Sequence, residues 1–525
     1  MGRRRAETGA AEAAGTPRSE PENPQEPAGR HYRPHHKAPL WLRIAALVLC
    51  SVLVIGVGTA GVLFYKLQSN VTTAPLDGRL PNGANSGPAI EDTGSLQILI
   101  LGTDTRDGKN SQYGSEEDSS GQGQSDVMLL MDISPDNSRV SVTSFPRDLV
   151  VPIPDCVSAT TSETVYGSSA GQLNGALQAG PGCTVAAIND ITGLSIDHFM
   201  LADFTAVKEL STALGGVEVC VDQAMYDVNG SFLRLPEGKS LVEGEQALAF
   251  LRTRHAFGDS GDLDRIKAQQ YFLGSMVRKV KSEGTLTNLP RLYTLADVVT
   301  KNLTIDEGLA NIPSMVTIAT RLAKIDLAKV SFVTVPTEPY VADNNRVQLQ
   351  QPQASQFFAA LRQDTDLTAS PTPSSTGGTL ASTPPAETPA ATQSPDAPAY
   401  EKALQPISVV NATAVVGRSL ELVQALAAAG FSNAWQAGDI PAVSETKLLY
   451  GAEMADVAAD LATLFNLPPA AVQFDATVAG ISLVVGADWI SGTQYGTIVV
   501  PENIVASTAE QDAGCMKVNP LYYTY

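Results

Sequence analysis

The chain has 525 residues, of which 43% are hydrophobic and 17% are charged. At about 100–200 residues per domain this length predicts two or three domains, and the plentiful aliphatic residues exclude a chain that is disordered throughout. The formal net charge of −20 argues against a dedicated nucleic-acid binder, because such a protein needs a basic face.

The N-terminal segment differs from the rest in charge and hydropathy. Residues 1–43 carry a net charge of +3, which leaves −23 for the remainder, and residues 44–65 contain no formal charge. As a helix, the uncharged run would be about 33 Å long, which is enough to cross the ~30 Å hydrocarbon layer of a membrane. Trp41 and Tyr65 lie near its two ends, where aromatic residues favour the membrane interface. The sequence therefore predicts one transmembrane helix at residues 44–65.

The orientation of this helix follows from the basic tail. By the positive-inside rule, residues 1–43 form a disordered cytoplasmic tail, and the bulk of the chain lies outside the membrane. The alternative is a cleaved signal peptide. We favour an uncleaved anchor, because a charged region of about 40 residues and such a long apolar run both exceed the usual signal-peptide dimensions of ~7–15 apolar residues.

The cysteines fit an exported protein. Cys50 lies within the predicted span, and four cysteines remain outside it. An oxidising compartment permits disulfides, and four cysteines allow three connectivities. We favour Cys156 with Cys183, which are close in sequence, leaving Cys220 with Cys515.

Composition divides the exported part into five segments. Residues 66–94 are poor in apolar side chains and are predicted to be a spacer, and residues 95–367 form the main domain. Residues 368–402, rich in Pro, Ser, Thr and Ala, are predicted to be an extended linker. Residues 403–495 form a small second domain, and residues 496–525 an irregular tail.

Apolar periodicity predicts the fold class of both domains. In the main domain, strands are expected at 96–102, 126–134 and 139–148, and helices at 185–192, 204–214, 243–250 and 265–281. The second domain has a βαβαβ-like order. We therefore predict an α/β protein with a layered α-β-α main domain, a central mixed sheet, and a small α/β domain after it.

Three clusters of polar residues could carry chemistry. In the first, Asp104 follows a predicted strand in LGTDTRD, and Asp126 begins the next strand in GQSD. Two carboxylates at adjacent strand ends suit a hard cation such as Mg²⁺. The alternative is that Asp simply favours turns and helix caps.

The second cluster is SFPRDL, residues 144–149, where Pro146 ends a strand and Arg147 and Asp148 follow. An arginine held at a strand end is a good phosphate ligand. The alternative is a structural ion pair between Arg147 and Asp148.

The third cluster lies between residues 243 and 273. Arg252 and Arg254 are two residues apart, so in an extended chain they would project to one face, and a helix that begins near Asp264 carries Arg265 and Gln269 one turn apart. Basic groups in a first helical turn oppose the helix dipole unless an anion is bound there. The alternative is that nearby aspartates neutralise the arginines; these are Asp259, Asp262 and Asp264.

Together the clusters suggest a site for an anionic substrate. Several arginines with two carboxylates and Mg²⁺ fit a pyrophosphate and phosphoryl transfer. The chain has no P-loop and no kinase motif set, so a nucleoside triphosphate donor is not expected. A GxSxG motif is also absent, which argues against an α/β-hydrolase.

The order of these motifs resembles the LytR-CpsA-Psr family. The resemblance covers about residues 95–285 and rests on LILGTDTR, QSDVMLLMDI, VSVTSFPRDLVVPIPDC, IDHFMLADFTAVKELSTALGGVEV, LVEGEQALAFLRTRH and DLDRIKAQQYFL. Residues 405–490 look like the LytR C-terminal domain. The resemblance implies a phosphotransferase that moves a glycopolymer from a polyprenyl-pyrophosphate carrier to the muramic-acid 6-hydroxyl of peptidoglycan.

The resemblance also implies roles for individual residues. Asp104 and Asp126 would hold Mg²⁺, and the catalytic set would be Asp126, Arg147, Arg252 and Arg254. The pyrophosphate ligands would be Arg106, Arg147, Arg252, Arg254, Arg265 and Gln269. The prenyl chain would lie in an apolar tunnel, for which the sequence suggests Phe199, Leu201, Phe204, Val207 and Leu210. The expected partners are the carrier-linked glycan, peptidoglycan and membrane lipid, and no nucleic acid.

Two positions depart from the family pattern. Many members have Arg at Gln124 and a Lys at Gln172, and the loss of both charges would weaken binding of the pyrophosphate. Two other functions therefore remain open: a regulatory protein that binds polyprenyl pyrophosphate, and a hydrolase of such pyrophosphates.

Overall fold

The computed structural model describes residues 39–79, 90–91, 93–114, 122–258, 262–282, 288–367, 400–413, 415, 417–441, 443, 445–490, 492–495, 506–510 and 514–524. Most of the predicted cytoplasmic tail, part of the spacer, nearly all of the predicted linker, and Asp259 lie outside these residues. The chain divides into two units, residues 1–62 and 63–525, which are described separately.

The described helices agree in type with those predicted. Their bounds are α1 Leu40–Asn70, α2 Pro181–Thr192, α3 Phe204–Ala213, α4 Glu245–Arg252, α5 Asp262–Ser282, α6 Leu289–Asn302, α7 Ile312–Lys324, α8 Gln353–Arg362, α9 Arg418–Ala428 and α10 Ala455–Phe465. Among the described residues, only α1 is long and apolar enough to cross a membrane. Helix α3 begins where the Asp203 carboxylate accepts a hydrogen bond from the Ala206 N–H at 2.8 Å.

The strands of residues 63–367 are short apart from the central ones. They are β1 Thr72–Ala74, β2 Leu96–Thr103, β3 Ser125–Ile133, β4 Val140–Ser144, β5 Val150–Ile153, β6 Cys156–Val157, β7 Thr164–Val165, β8 Ser168–Gln172, β9 His198–Ala202, β10 Val217–Val221, β11 Met225–Tyr226, β12 Arg234–Leu235, β13 Gly238–Val242, β14 Leu303–Asp306, β15 Val330–Thr334, β16 Thr337–Tyr340 and β17 Asp343–Leu349. Strand β1 lies within the predicted spacer, so that segment contributes to the fold.

Eight strands form a central mixed sheet in the order β1-β14-β9-β2-β3-β4-β15-β23, where β23 is Ala506–Thr508. Strand β2 is antiparallel to β3 and parallel to β9, and β4 is parallel to β15. Successive residues of a strand point to opposite faces. Accordingly, Leu99 packs in a core that includes α2 and α8, and Ile98 packs in a second core that includes α5 and α7. The predicted α-β-α layering is therefore confirmed.

The second domain has its own sheet and core. Its strands are β18 Ile407–Asn411, β19 Ala434–Asp439, β20 Lys447–Tyr450, β21 Val472–Phe474 and β22 Ile481–Val485, in the order β19-β18-β22-β20-β21. Helices α9 and α10 supply Leu422, Leu426 and Leu461 to a core that closes around Trp489. The small α/β domain is thus as predicted, although the sequence did not reveal β19 and β21.

The disulfides have the favoured pairing. Cys156 is joined to Cys183, and Cys220 is joined to Cys515 across a sequence separation of 295 residues. The second bond attaches the C-terminal tail to the main domain. That tail is less irregular than predicted, because β23 pairs with β15 at the edge of the central sheet.

Candidate functional site

The predicted site residues lie at one end of the central sheet. Strand β2 ends at Thr103, which pairs with Ser125 at the start of β3. Strand β4 ends at Ser144, which pairs with Leu129 of β3. Because β3 is antiparallel to both β2 and β4, residues that follow β2 and β4 meet residues that precede β3. The sheet therefore brings the first two polar clusters together.

A cavity of about 300 Å³ lies at this end of the sheet. Seven of the eight predicted metal and pyrophosphate ligands line it: Asp104, Arg106, Asp126, Arg252, Arg254, Arg265 and Gln269. The eighth, Arg147, reaches the same group through Asp126. Residues from clusters far apart in sequence thus share one concave surface.

Asp126 is the centre of the charged network. Its Oδ1 accepts a hydrogen bond from Arg147 Nη1 at 2.9 Å, and its Oδ2 lies 3.3 Å from Arg254 Nη2. Its backbone oxygen accepts from Arg265 Nη2 at 3.3 Å. Burial by itself would raise the pKa of Asp126, but the positive charges of Arg265, Arg254 and Arg147 hold it below its usual range. Asp126 is therefore an anion that organises cations, and a poor proton acceptor.

Asp104 is held by the backbone of the facing strand. Its Oδ1 accepts from the Gln124 N–H at 2.7 Å, and its own N–H donates to the Gln124 carbonyl at 3.1 Å. A Cβ at Gly123, where φ is +70°, would lie 2.8 Å from Asp104 Oδ1. Only glycine fits this position, so the turn and the carboxylate are fixed together.

Arg252 lies on an aromatic surface. Its guanidinium carbon is 4.8 Å from the ring centre of Phe204 and 5.2 Å from that of Tyr113. Burial, with the nearby charge of Arg106 adding to it, lowers the pKa of Arg252. Arg252 is the last residue of α4, so the expectation that Arg252 and Arg254 share an extended segment is wrong. The helix runs two residues further than predicted and directs Arg252 to these rings.

Helix α5 supplies the other side of the cavity. Arg265 and Gln269, one turn apart, are only 6% and 5% exposed, and both line the cavity. Of the aspartates that could neutralise these arginines, Asp264 accepts from Lys267 Nζ through Oδ1 at 3.0 Å, and the side chains of Asp259 and Asp262 lie outside the described structure. Arg265 itself donates to Asp126, at the site.

The alternative interpretation of Arg147, an ion pair with Asp148, is present in the structure, and its role as a phosphate ligand stays a prediction. Its Nε lies 3.3 Å from Asp148 Oδ2, while its Nη1 bonds Asp126. Gln172, where many family members have Lys, donates to Asp148 Oδ1 at 3.2 Å. Gln124 accepts from Asn174 Nδ2 at 3.1 Å. Gln172 and Gln124, the two departures from the family pattern, are therefore both hydrogen-bonded at the site. Arg147 keeps Asp148 as an acidic neighbour.

The apolar residues suggested for a prenyl tunnel separate into two groups. Phe204 and Val207 line the cavity, together with Leu248 and Leu251. Phe199 and Leu201 instead belong to the buried core. Leu210 is half-buried and does not line the cavity. Only the first half of α3 therefore borders the site.

Sequence reasoning missed two polar groups beside the cavity. Tyr113 Oη donates to Glu245 Oε1 at 2.7 Å and accepts from Lys208 Nζ at 2.8 Å. Asp227, fully buried, accepts from Thr253 Oγ1 at 2.6 Å. An aromatic residue in a polar loop was the available signal for Tyr113. Asp227 and its local donor Ser231 lie outside the three polar clusters, and its other donor, Thr253, is 26 residues away.

Comparison with known proteins agrees with this architecture. Residues 64–363 match the LytR_cpsA_psr family model, and residues 405–489 match the model described as LytR cell envelope-related transcriptional attenuator. The fold and site thus define a cell-envelope protein of this type. Because the first match covers more than half of the chain, the protein belongs to the LytR-CpsA-Psr family.

The chain is similar to several curated proteins. It is 30% identical over 320 residues to the cell wall biosynthesis protein LcpA of Corynebacterium glutamicum, covering 57% of this chain and 60% of that one. It is 28% identical over 245 residues to the probable cell wall biosynthesis protein LcpB of the same organism, covering 45% and 55%. It is also 28% identical over 298 residues to the polyisoprenyl-teichoic acid–peptidoglycan teichoic acid transferase TagT of Bacillus subtilis, covering 54% and 84%. The chain therefore spans little more than half the length of the two corynebacterial relatives.

Proposed function

We propose that this protein is a membrane-anchored phosphotransferase that moves a glycopolymer from a polyprenyl-pyrophosphate carrier to peptidoglycan. The observation that carries the proposal is the convergence of Arg147, Arg254 and Arg265 on Asp126, within a cavity that has apolar residues on one wall. Arginine clusters are suited to phosphate oxygens, and the apolar wall is suited to a lipid. The similarity to TagT, a teichoic acid transferase, supports the same reaction class.

The location follows from α1. Its apolar run would anchor the protein, with the basic residues before it in the cytoplasm and the main domain outside. Two disulfides in the described residues support an oxidising, extracytoplasmic setting. This placement would put the cavity on the same side of the membrane as peptidoglycan.

We further propose that Mg²⁺ binds at Asp104 and Asp126. Both carboxylates line the cavity, and Mg²⁺ commonly takes one or two protein carboxylates and completes its shell with water and substrate phosphates. Within the described residues, no group of three or more His, Cys, Asp or Glu could hold a metal alone. The two carboxylates therefore fit a metal ion that the phosphate oxygens of the substrate would also bind. Such an ion would neutralise charge on the pyrophosphate.

The reaction needs little covalent chemistry from the protein. The acceptor hydroxyl oxygen, which we take to be the 6-hydroxyl of muramic acid, would attack the phosphorus that bears the glycan. A phosphodiester bond forms, the pyrophosphate P–O bond breaks, and polyprenyl phosphate leaves. Arg106, Arg252 and the arginines around Asp126 would stabilise the charge on the phosphoryl oxygens. Because the low pKa of Asp126 makes it a weak base, we assign the acceptor proton to Asp104.

The test uses the full chain in detergent micelles with Mg²⁺, a polyprenyl-pyrophosphate glycan and peptidoglycan strands. We expect glycan to become covalently attached to the strands. Release of glycan phosphate without attachment would instead identify a hydrolase, and carrier binding without turnover would identify a regulatory protein; either result refutes the transferase proposal.

Two substitutions test the site rather than the reaction. Arg147→Ala is expected to reduce transfer by about 10- to 100-fold, because it removes a charge-assisted contact to phosphate. Arg234→Ala, at an exposed arginine on β12 outside the cavity, is the matched control and should retain activity. If Arg147→Ala transfers as well as wild type, the site assignment is wrong.

A further inference from the structure

The C-terminal segment 514–524, here called the C-terminal strap, returns to the main domain after the second domain. It lies beyond both segments that match family models, which end at residues 363 and 489. It is attached covalently through the Cys220–Cys515 disulfide. The strap thus belongs to the main domain in space, although it follows the second domain in sequence.

One edge of the strap binds the residues around β10 and β11. The Met516 N–H donates to the Cys220 carbonyl at 2.8 Å, and the Asp222 N–H donates to the Met516 carbonyl at 3.0 Å. The Val518 N–H donates to Asp222 Oδ1 at 2.8 Å, and the Thr524 N–H donates to the Ala224 carbonyl at 2.9 Å. These contacts fix the strap along the length of the loop that leads into β11.

The other edge of the strap pairs with the segment that follows Arg254. The Gly258 N–H donates to the Lys517 carbonyl at 3.0 Å, and the Asn519 N–H donates to the Ala256 carbonyl at 2.9 Å. Between them, Phe257 and Val518 form an antiparallel bridge. Val518 is 1% exposed and packs in a core that contains Phe250, Phe257 and Phe272. The strap and the segment after Arg254 therefore form a short antiparallel pair.

Residues 253–258, here called the arginine loop, follow Arg252 at the end of α4 and carry Arg254 into the cavity. At the start of this loop, Thr253 is held by buried Asp227. At its end, Ala256–Gly258 is held by the strap. Arg254 is about half exposed (49%), and its ion pair with Asp126 is long, at 3.3 Å. An exposed pair of this kind contributes little to order, so the backbone must fix where Arg254 points.

We propose that the C-terminal strap is a positioning element for the arginine loop, holding Arg254 where it meets the anionic head of the substrate. The proposal rests on the proposed function for the identity of that substrate, but the ordering of the loop by the strap can be measured without it. Preorganised donors bind developing charge without a cost of rearrangement, so loosening the strap should weaken carrier binding before it unfolds the protein.

The perturbation is the matched pair Asn519→Pro and Asn519→Ala in the full chain. Asn519 has φ −67°, which proline adopts without strain, and its side chain accepts from the Leu521 N–H at 3.1 Å. Both substitutions remove that side-chain contact. Only Asn519→Pro also removes the N–H that donates to the Ala256 carbonyl and sets its ring Cδ against that oxygen, so the difference between the two variants reports the loss of strap–loop pairing at this position.

The first measurement is amide hydrogen exchange. Loss of one backbone hydrogen bond should raise exchange about fivefold across residues 253–258 in Asn519→Pro relative to Asn519→Ala. Exchange in β2, β3 and β4 should stay the same in both variants and shows that the fold is intact. Equal exchange of the arginine loop in the two variants overturns the proposal.

The second measurement is transfer kinetics. Asn519→Pro should raise KM for the carrier about three- to tenfold relative to Asn519→Ala, and Arg254→Ala should cost less in the Asn519→Pro background than in wild type, because both changes act on one group. Full additivity of the two substitutions overturns the proposal. An inactive wild type refutes the proposed function, and the exchange measurement then still decides the role of the strap.

If Asn519→Pro does not fold, Val518→Ala takes its place. This variant keeps both backbone hydrogen bonds and removes two methyl groups from the core around Phe250. We expect the same rise in exchange at residues 253–258 with β2–β4 unchanged, and an unchanged arginine loop again overturns the proposal.

Discussion

Replacement of Arg252 by methionine should separate activity from stability. Methionine keeps an unbranched side chain that can contact the rings of Phe204 and Tyr113, but it removes the charge. Arg252 is half-buried, and this burial together with the charge of Arg106 lowers its pKa. The charge on Arg252 is therefore a cost to the folded protein that a bound anion offsets.

The expected magnitudes follow from these contacts. A hydrogen bond to a charged group contributes about 1.5–3 kcal/mol, so kcat/KM for the carrier should fall about 10- to 150-fold. The lost cation–π contacts, at about 0.5–2 kcal/mol, oppose the relief of burial and of repulsion from Arg106. We therefore expect the free energy of unfolding to change by no more than about 1 kcal/mol, in either direction.

The assay compares Arg252→Met with Arg234→Met, at the exposed arginine on β12. Transfer rates give kcat/KM, and urea unfolding of both variants gives the free energy. Unchanged kcat/KM would remove Arg252 from the site. A loss of several kcal/mol in the free energy of unfolding would show that Arg252 is structural. It would refute the argument that the charge of Arg252 destabilises the folded protein.

Other predictions concern pH, the buried hydroxyl and the metal. Burial first, and then the charge of Asp364, raise the pKa of Asp132 to about 7. The stability that the neutral, protonated carboxyl contributes is fully present below the unfolded value of 3.8 and is lost as pH rises through about 7. Asp132→Asn should therefore leave the free energy of unfolding unchanged at pH 4 and raise it by up to about 4 kcal/mol at pH 8, measured by thermal or urea unfolding. Thr253→Val should raise KM for the carrier several-fold and Thr253→Ser should restore it, because only the serine can still donate to Asp227; equal kinetics of the two would exclude an orienting role. Removal of divalent cations with EDTA should abolish transfer and added Mg²⁺ should restore it, whereas full activity in EDTA would refute the proposed metal site.

The central part of the fold could be predicted because its signals are local. The apolar runs at 96–102 and 126–134 gave strands that agree with Leu96–Thr103 and Ser125–Ile133 to within one residue. The sheet edges were not predictable in this way. Strands Thr72–Ala74 and Ala506–Thr508 have three residues each, and they form because a partner strand already exists far away in sequence. Such pairing leaves no periodic pattern to detect.

The candidate site was predictable as a set of residues but not as a geometry. Motif order grouped Asp104, Asp126 and the arginines, and the cavity contains nearly all of them. Sequence could not show that Arg252 ends a helix and rests on Tyr113, since two further helical residues change its direction entirely. It also could not show how the arginine loop is held, because Asp227 and the strap come from other parts of the chain.

The site holds several arginines close together although their charges repel one another. Five arginines meet there, Arg106, Arg147, Arg252, Arg254 and Arg265, and burial together with the charge of Arg106 lowers the pKa of Arg252. Packing and backbone pairing from outside the cavity, through Asp227 and the strap, also hold these arginines in place. This division predicts two classes of variant. Replacement of Arg252 relieves repulsion from Arg106 and lowers activity at little cost in stability, whereas variants that loosen Thr253 or the strap leave every charge in place and lower carrier affinity by letting the arginines separate.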